Sequence, residues 1–156
     1  MVKPLFNAED DEWVTMVGRY VLNMGALEAA TRLLIVAIDG TDATPIFSGS
    51  LSSRIGFLRK RFPRADQMRH KWAMNTFMVA ERHAAFRNVV CHSPLAVTGR
   101  SDGTFHINGI LNLQPCDPQN VAELVTLEEL KGRVNESAAA SRSLLEMQDD
   151  FGKLGG

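Results

Sequence analysis

The sequence has few of the features that mark metal, disulfide or membrane proteins. Its two cysteines, Cys91 and Cys116, have no metal-ligand spacing and are too few for a disulfide framework, which indicates a reducing compartment. The apolar run at residues 33–38 is too short to span a bilayer. Acidic residues at positions 9–12 stand where a signal peptide would have its apolar centre. We therefore expect a cytoplasmic protein without a membrane segment.

Recognisable catalytic motifs are also lacking. The chain contains no glycine-rich phosphate loop, no Cys/His cluster and no nucleophile elbow, and its four histidines do not pair at metal-ligand spacing. We predict neither a metal site nor a cofactor. With 156 residues, 45% of them hydrophobic, and no internal repeats, the chain is long enough to form one domain over residues 1–156 with its own core.

Charge is unevenly distributed, although the formal net charge is only −1. Residues 51–100 contain ten Lys or Arg and two acids, whereas the rest contains seven bases and sixteen acids. Such segregation can present a positive face to a polyanion; the alternative is that the bases pair with the acidic segments in the folded chain. On the first interpretation, outward-facing basic residues of one helix bind RNA: Arg54, Arg59, Lys60 and Arg61.

Apolar residues at helical spacing predict four helices, over residues 7–38, 52–62, 66–92 and 126–151. Asn7, Ser52 or Ser53, and Asp66 are the expected first residues or caps of the first three, and Thr126 with Glu129 forms a capping box before the last.

Two features of these helices carry structural expectations. Gly18 and Gly25 in the first helix suggest close approach of another helix. Phe57, Phe62 and Trp72 lie at helical spacing among the basic residues, which favours core packing over base stacking.

The helical spacing of apolar residues ends after residue 94. Two β-branched segments, 95–98 and 104–113, flank a turn that contains Asp102-Gly103, the signal of a β-hairpin. Residues 121–125 read as a short strand or a linker. The expected fold class is mostly α: a bundle of about four helices with a β-hairpin, residues 95–113, inserted after the third helix.

The segment 84–94 ends the third helix and offers the clearest chemistry. Ser93-Pro94 stops the helix, and Asn88 and His92 share a face one turn apart. An arginine clamps a phosphodiester, a histidine near a helix C-terminus suits acid–base work, and an asparagine contacts phosphate without adding charge. Arg87, Asn88 and His92 are thus the candidate catalytic residues for RNA cleavage. The alternative is that Arg87 and His92 only stabilise the helix end.

The motif Arg87-Asn-Val-Val-Cys-His92 resembles the Arg-x4-6-His signature of the HEPN (higher eukaryote and prokaryote nucleotide-binding) superfamily. Met24-Gly-Ala-Leu-Glu28 is similar to that family's first core helix with its acidic residue. Residues 52–62 are similar to the short helix before the motif helix. The resemblance covers about residues 10–95 and the last helix.

The resemblance implies a metal-independent endoribonuclease that forms a homodimer through its motif helices. His92 would be the acid/base, Arg87 the phosphate clamp, Asn88 a polar helper and Glu28 an accessory that orients Arg87 or His92. Such proteins are often toxins or antiviral effectors, silenced by an antitoxin partner. The alternatives are a non-catalytic HEPN-like module that binds nucleotides, RNA or protein, and a scaffold subunit assembled by its charge asymmetry.

Overall fold

A computed structural model describes residues 5–40, 46, 48–113 and 122–154. After a 3-10 turn at Ala8–Asp10, the described elements follow in this order: α1 (Asp11–Asp39), α2 (Leu51–Arg61), α3 (Gln67–His92), β1 (Leu95–Gly99), β2 (Phe105–Asn112), β3 (Glu123–Val125) and α4 (Leu127–Leu154). The fold is mostly α with a β-hairpin after α3, as the sequence predicts.

The core forms chiefly where α1 packs against α4, and α3 closes it from a second side. One face of α1 is buried because apolar residues recur there every three or four positions. The fully buried large residues of α1 and α4 are Tyr20, Met24, Leu27, Leu34, Ile35, Leu130, Leu144 and Met147. Beside them lies Phe62, which contacts Phe77 and Phe151 edge to face, while Phe57 and Trp72 are partly buried against the core. The preference for core packing over base stacking is confirmed for these aromatic residues.

Two of the expected helix starts are confirmed. The Asp66 carboxylate accepts a hydrogen bond from the Arg69 backbone N–H at 3.0 Å, which caps α3. The Thr126 hydroxyl accepts from the Glu129 backbone N–H at 3.2 Å, so the capping box begins α4.

The other two caps differ from the expectation. Ser50, one residue before α2, accepts from the Ser53 backbone N–H at 3.1 Å, so α2 begins earlier than Ser52 or Ser53 would allow. Asn7 makes no side-chain capping bond; its carbonyl accepts from the Asp10 N–H instead, because the chain enters α1 through the 3-10 turn.

The three strands form one antiparallel sheet in the order β1–β2–β3. Gly103, at φ 82°, makes the hairpin turn, where left-handed backbone favours glycine. The segment expected as a strand or a linker is a strand at Glu123–Val125, with Val125 opposite Ile110. Residues 114–121 lie outside the described part, as do positions 41–45 and 47 of the expected loop at 41–50.

Some expectations about the helices are wrong in detail. Met68 of α3 and Leu145 of α4 stand at the helical spacing of apolar residues that predicts burial, but both are exposed. A Cβ added at Gly18 or Gly25 would meet nothing within 4 Å, so neither glycine marks a close approach to another described part of the chain. The last helix continues to Leu154 rather than ending near Phe151.

The segment Ala8–Asp39 is long and apolar enough, by length and composition, to cross a membrane, and no other described helix is. Buried core helices meet the same criterion, and α1 contributes eight buried residues to the bundle. The cytoplasmic location therefore stays a prediction.

A buried polar cluster links α1, α3 and α4. The Tyr20 hydroxyl lies 3.1 Å from Nδ1 of His83, and Nε2 of His83 lies 3.2 Å from the Glu136 carboxylate. Burial lowers the pKa of His83, and the charges of Arg133 and Arg82 act in the same direction, while Glu136 opposes them. Burial also raises the pKa of Tyr20.

We expect this cluster to make the protein less stable in acid. The unfolded His83 binds a proton below about pH 6.5, but the folded residue does so only at lower pH. Stability is thus complete above about pH 6.5 and falls as pH drops towards the folded pKa, by at most about 1.4 kcal/mol per pH unit. Urea titrations from pH 7.5 to 5 should give a flatter pH dependence for His83→Gln. Equal slopes for the two proteins would contradict the assignment.

Candidate functional site

The two motif residues Arg87 and Asn88 line a cavity of about 290 Å³. It lies between the C-terminal half of α1, the start of α2 and the C-terminal half of α3. The other lining residues are Glu28 and Arg32 of α1, residues 49–52 with Arg54 around the start of α2, and Ala84 of α3. At about 30 Å³ per water molecule, the space is large enough for a phosphate group and part of a nucleotide.

Glu28 stands between two arginines. One carboxylate oxygen accepts a 2.9 Å hydrogen bond from Nη1 of Arg87, and the other lies 3.5 Å from Nη2 of Arg54. The Arg87 side chain is 51% exposed, so it can reach a ligand in the cavity while it keeps contact with Glu28. Of the two residues that Glu28 was expected to orient, it therefore contacts Arg87 and does not contact His92 within one chain.

Arg54 does not face outward, contrary to expectation: it is only 1% exposed. It precedes Ile55 and lies one turn before Leu58, which puts it on the buried side of a short helix. Its Nε donates to the Thr31 hydroxyl at 3.2 Å and its Nη1 to the Gly49 carbonyl at 2.6 Å. Arg54 therefore fastens α2 to α1 and forms the inner wall of the cavity.

The cavity is positively charged. Three arginines, Arg32, Arg54 and Arg87, and one carboxylate residue, Glu28, line it, which leaves a formal excess of two positive charges. Burial, and then the charge of Arg32, lowers the pKa of Arg54, but an arginine remains protonated in proteins. The N-terminus of α2 adds its partial positive charge. The site therefore suits an anion.

His92 is not among the residues that line this cavity. It is the last residue of α3 and is exposed. Asn88 and His92 share a face of α3 and are about 6 Å apart along the helix axis, so His92 lies one turn beyond the cavity. The structure brings Arg87, Asn88 and Glu28 together at the cavity. Within one chain, the expected convergence of His92 with Arg87 and Asn88 is not seen.

Of the other three residues expected to contact RNA, two already contact side chains of this chain. Arg59 pairs with Glu81 at 2.6 Å, and Arg61 lies 3.7 Å from Asp39 and stacks over Phe57. Lys60 is exposed.

Most of the basic residues of segment 51–100 form ion pairs with acids. Those with a carboxylate partner are Arg54, Arg59, Arg61, Arg69, Arg82, Arg87 and Arg100. The partner of Arg59, Glu81, lies in the same basic segment. Pairing with the acidic segments, the alternative drawn from the sequence, therefore holds for six of the ten basic residues within the described part of the chain.

Arg32 is a cavity residue that the sequence analysis missed. It lies four residues after Glu28 on α1, and this spacing puts both side chains on one face of the helix. That spacing was the available signal. The contribution of residues 49–52 had no comparable signal, because it depends on how α2 docks against α1.

Comparisons of this chain with protein-family models, with curated proteins and with solved structures found no match. The resemblance to the HEPN superfamily stays a prediction that rests on the motif and the order of the helices. In the described residues, no group of three or more His, Cys, Asp or Glu side chains is placed to hold a metal ion.

Proposed function

We propose that the protein is a metal-independent endoribonuclease of HEPN type. The observation that supports this best is the positively charged cavity lined by Arg87 and Asn88, on the helix that ends at His92. A phosphodiester in the cavity would meet Arg87 and Arg32, and the adjoining ribose would lie towards His92. RNA is the polyanion whose own 2′-hydroxyl makes metal-free cleavage possible.

The reaction begins when His92, as the neutral imidazole, takes the proton of the ribose 2′-hydroxyl. The 2′-oxygen then attacks the adjacent phosphorus, and the extra negative charge of the phosphorane is stabilised by Arg87. The bond to the 5′-oxygen breaks, and that oxygen takes a proton from water or from a second copy of His92. The products are a 2′,3′-cyclic phosphate and a 5′-hydroxyl. Asn88 holds a phosphate oxygen, and Glu28 positions Arg87.

A homodimer in which two motif helices meet would supply that second histidine, and it belongs to the proposal. The resemblance to the HEPN superfamily also implies a role as a toxin or antiviral effector that an antitoxin protein holds inactive, and this role is part of the proposal.

The test is the digestion of a defined, end-labelled RNA by the purified protein in EDTA. We expect cleavage that is unaffected by the chelator and leaves 2′,3′-cyclic phosphate ends. Replacing the ribose at a cleaved position by 2′-deoxyribose should abolish cleavage there. Products with 3′-hydroxyl ends, or cleavage that needs added metal, would contradict the mechanism.

A second candidate is a non-catalytic module that binds RNA or nucleotides through the same cavity. Two observations favour it: Arg87 is already bound to Glu28, and His92 lies outside the cavity. Expression distinguishes the two functions. A nuclease should arrest growth and Arg87→Ala should relieve the arrest, whereas a binding module should not arrest growth.

A further inference from the structure

Helix α1 has a second apolar face, opposite the core. We call it the outer face and define it by eight residues: Val14, Gly18, Val21, Leu22, Gly25, Ala29, Leu33 and Val36. Its five large side chains are between 37% and 75% exposed. At 100° per residue the eight positions fall within an arc of about 120°, on the side of the helix away from Tyr20, Leu27 and Leu34.

An apolar face of this length is unusual for a surface helix. A helix that is apolar on both sides is normally covered on both sides. Large exposed apolar patches mark interaction sites in soluble proteins. A Cβ built at Gly18 or Gly25 would have no neighbour within 4 Å, so no described part of the chain covers the outer face at these positions.

Charge along the outer face indicates what covers it. Asp11 lies at one end and Arg32 at the other, and neither forms an ion pair with any described residue. A second α1 packed in parallel would place like charges opposite each other. Packed antiparallel, it places Asp11 of each copy opposite Arg32 of the other.

A single register of the two antiparallel helices gives both this charge pairing and a contact between small residues. In this register each residue faces the residue of the other copy whose number completes a sum of 43, so Asp11 faces Arg32 and Gly18 faces Gly25. Val21 then packs against Leu22 at the two-fold axis, and the paired glycines let the two helix backbones approach closely. A surface that is complementary to itself in this way fits a closed two-fold dimer.

We propose that the outer face of α1 binds the outer face of a second copy of this chain, with the two α1 helices antiparallel about an axis between residues 21 and 22. The interface extends to Arg32, at the rim of the positively charged cavity. It is distinct from contact between motif helices, and the inference does not depend on the proposed ribonuclease activity.

The first test measures mass in solution by sedimentation or light scattering. The wild-type protein should have at least twice the chain mass of 17.2 kDa. Leu22→Glu should have half the wild-type mass and an unchanged helical circular dichroism spectrum, because it buries two carboxylates near the axis and removes only the α1 contact. Met68→Glu is the matched control: it makes an equal charge change at an exposed apolar residue of α3, and it should keep the wild-type mass.

The second test determines the register by disulfide formation in a Cys91→Ser, Cys116→Ser background. Leu22→Cys should cross-link two chains, since the two copies of residue 22 lie about 1.5 Å apart along the helix axis. Val36→Cys should not, because its two copies lie about 44 Å apart along the axis. Cross-linking of both variants would indicate parallel helices and overturn the proposal.

Three further results would overturn it. One is a wild-type protein that is monomeric at every concentration. Another is a mass in solution that Leu22→Glu leaves equal to that of the wild type, with cross-linking only through the exposed Cys91 of the motif helix. The third is a monomer that binds phosphatidylcholine–phosphatidylglycerol vesicles and loses this binding with Leu22→Glu, since the outer face would then be a membrane contact.

Discussion

His92→Ala should lower the rate of RNA cleavage by about 10² to 10⁴-fold, the range by which a positioned acid–base group accelerates proton transfer. The side chain is exposed at the end of α3, so its removal should leave the fold and the cavity intact. The effect should appear in the cleavage step, whereas affinity for uncleavable RNA should change little, because His92 lies outside the cavity proposed to bind the phosphate. Single-turnover kinetics separate cleavage from binding.

His70→Ala is the control for this result. His70 lies near the opposite end of the same helix, where its ring contacts the Pro63 carbonyl, and its loss should not affect cleavage. If His92→Ala cleaves RNA as fast as the wild type, His92 is not the catalytic base and the assignment fails.

Arg54→Ala should lower the free energy of unfolding by about 3 kcal/mol, because it removes two hydrogen bonds donated by a buried charged group, each worth about 1.5 kcal/mol or more, and leaves their acceptors unpaired. The substitution leaves the Glu28 carboxylate without one of its two arginines and deprives Thr31 and the Gly49 carbonyl of a donor. It also empties space between α1 and α2. Urea unfolding followed by circular dichroism measures the change.

The matched control is Arg59→Ala, five residues further along α2. Arg59 is 35% exposed and pairs with Glu81 at the surface, so its loss should cost no more than about 1 kcal/mol. Arg54→Met separates volume from charge, because it fills most of the space without the hydrogen bonds and should remain destabilising by more than Arg59→Ala. Equal effects of Arg54→Ala and Arg59→Ala would show that the buried pair does not hold α2 to α1.

The elements that sequence reasoning predicts well are those specified by local chemistry. The Asp66 cap, the capping box at Thr126 and the turn at Gly103 each depend on residues within three positions of one another. The shifted start of α2 at Ser50 shows the limit of this reasoning, because neighbouring serines are equivalent until the loop before them is placed.

The candidate site is less predictable because it is assembled from separate segments. Glu28 and Arg87 are 59 residues apart, and their contact depends on the packing of α1 against α3. Arg54 reads as a surface residue until its partners on α1 are known, since burial of an arginine requires acceptors that a helical pattern does not reveal. Gly18 and Gly25 suggested the close approach of another helix, but no described part of the chain lies within 4 Å of a Cβ built at either glycine.

The proposed function requires that the cavity between α1, α2 and α3 bind an RNA phosphate. The most direct measurement is the affinity for a 2′-O-methyl RNA oligonucleotide, which cannot be cleaved, as a function of salt. The double variant Arg32→Gln, Arg87→Gln should bind at least about 10-fold more weakly. The slope of log K against log salt concentration should become shallower by about 1.4, because two phosphate contacts to a single strand are lost. The double variant Lys71→Gln, Arg142→Gln, with the same change in charge at exposed residues elsewhere on the surface, should lose little affinity. Equal losses for the two double variants would contradict the claim, because binding would then follow net charge rather than the cavity.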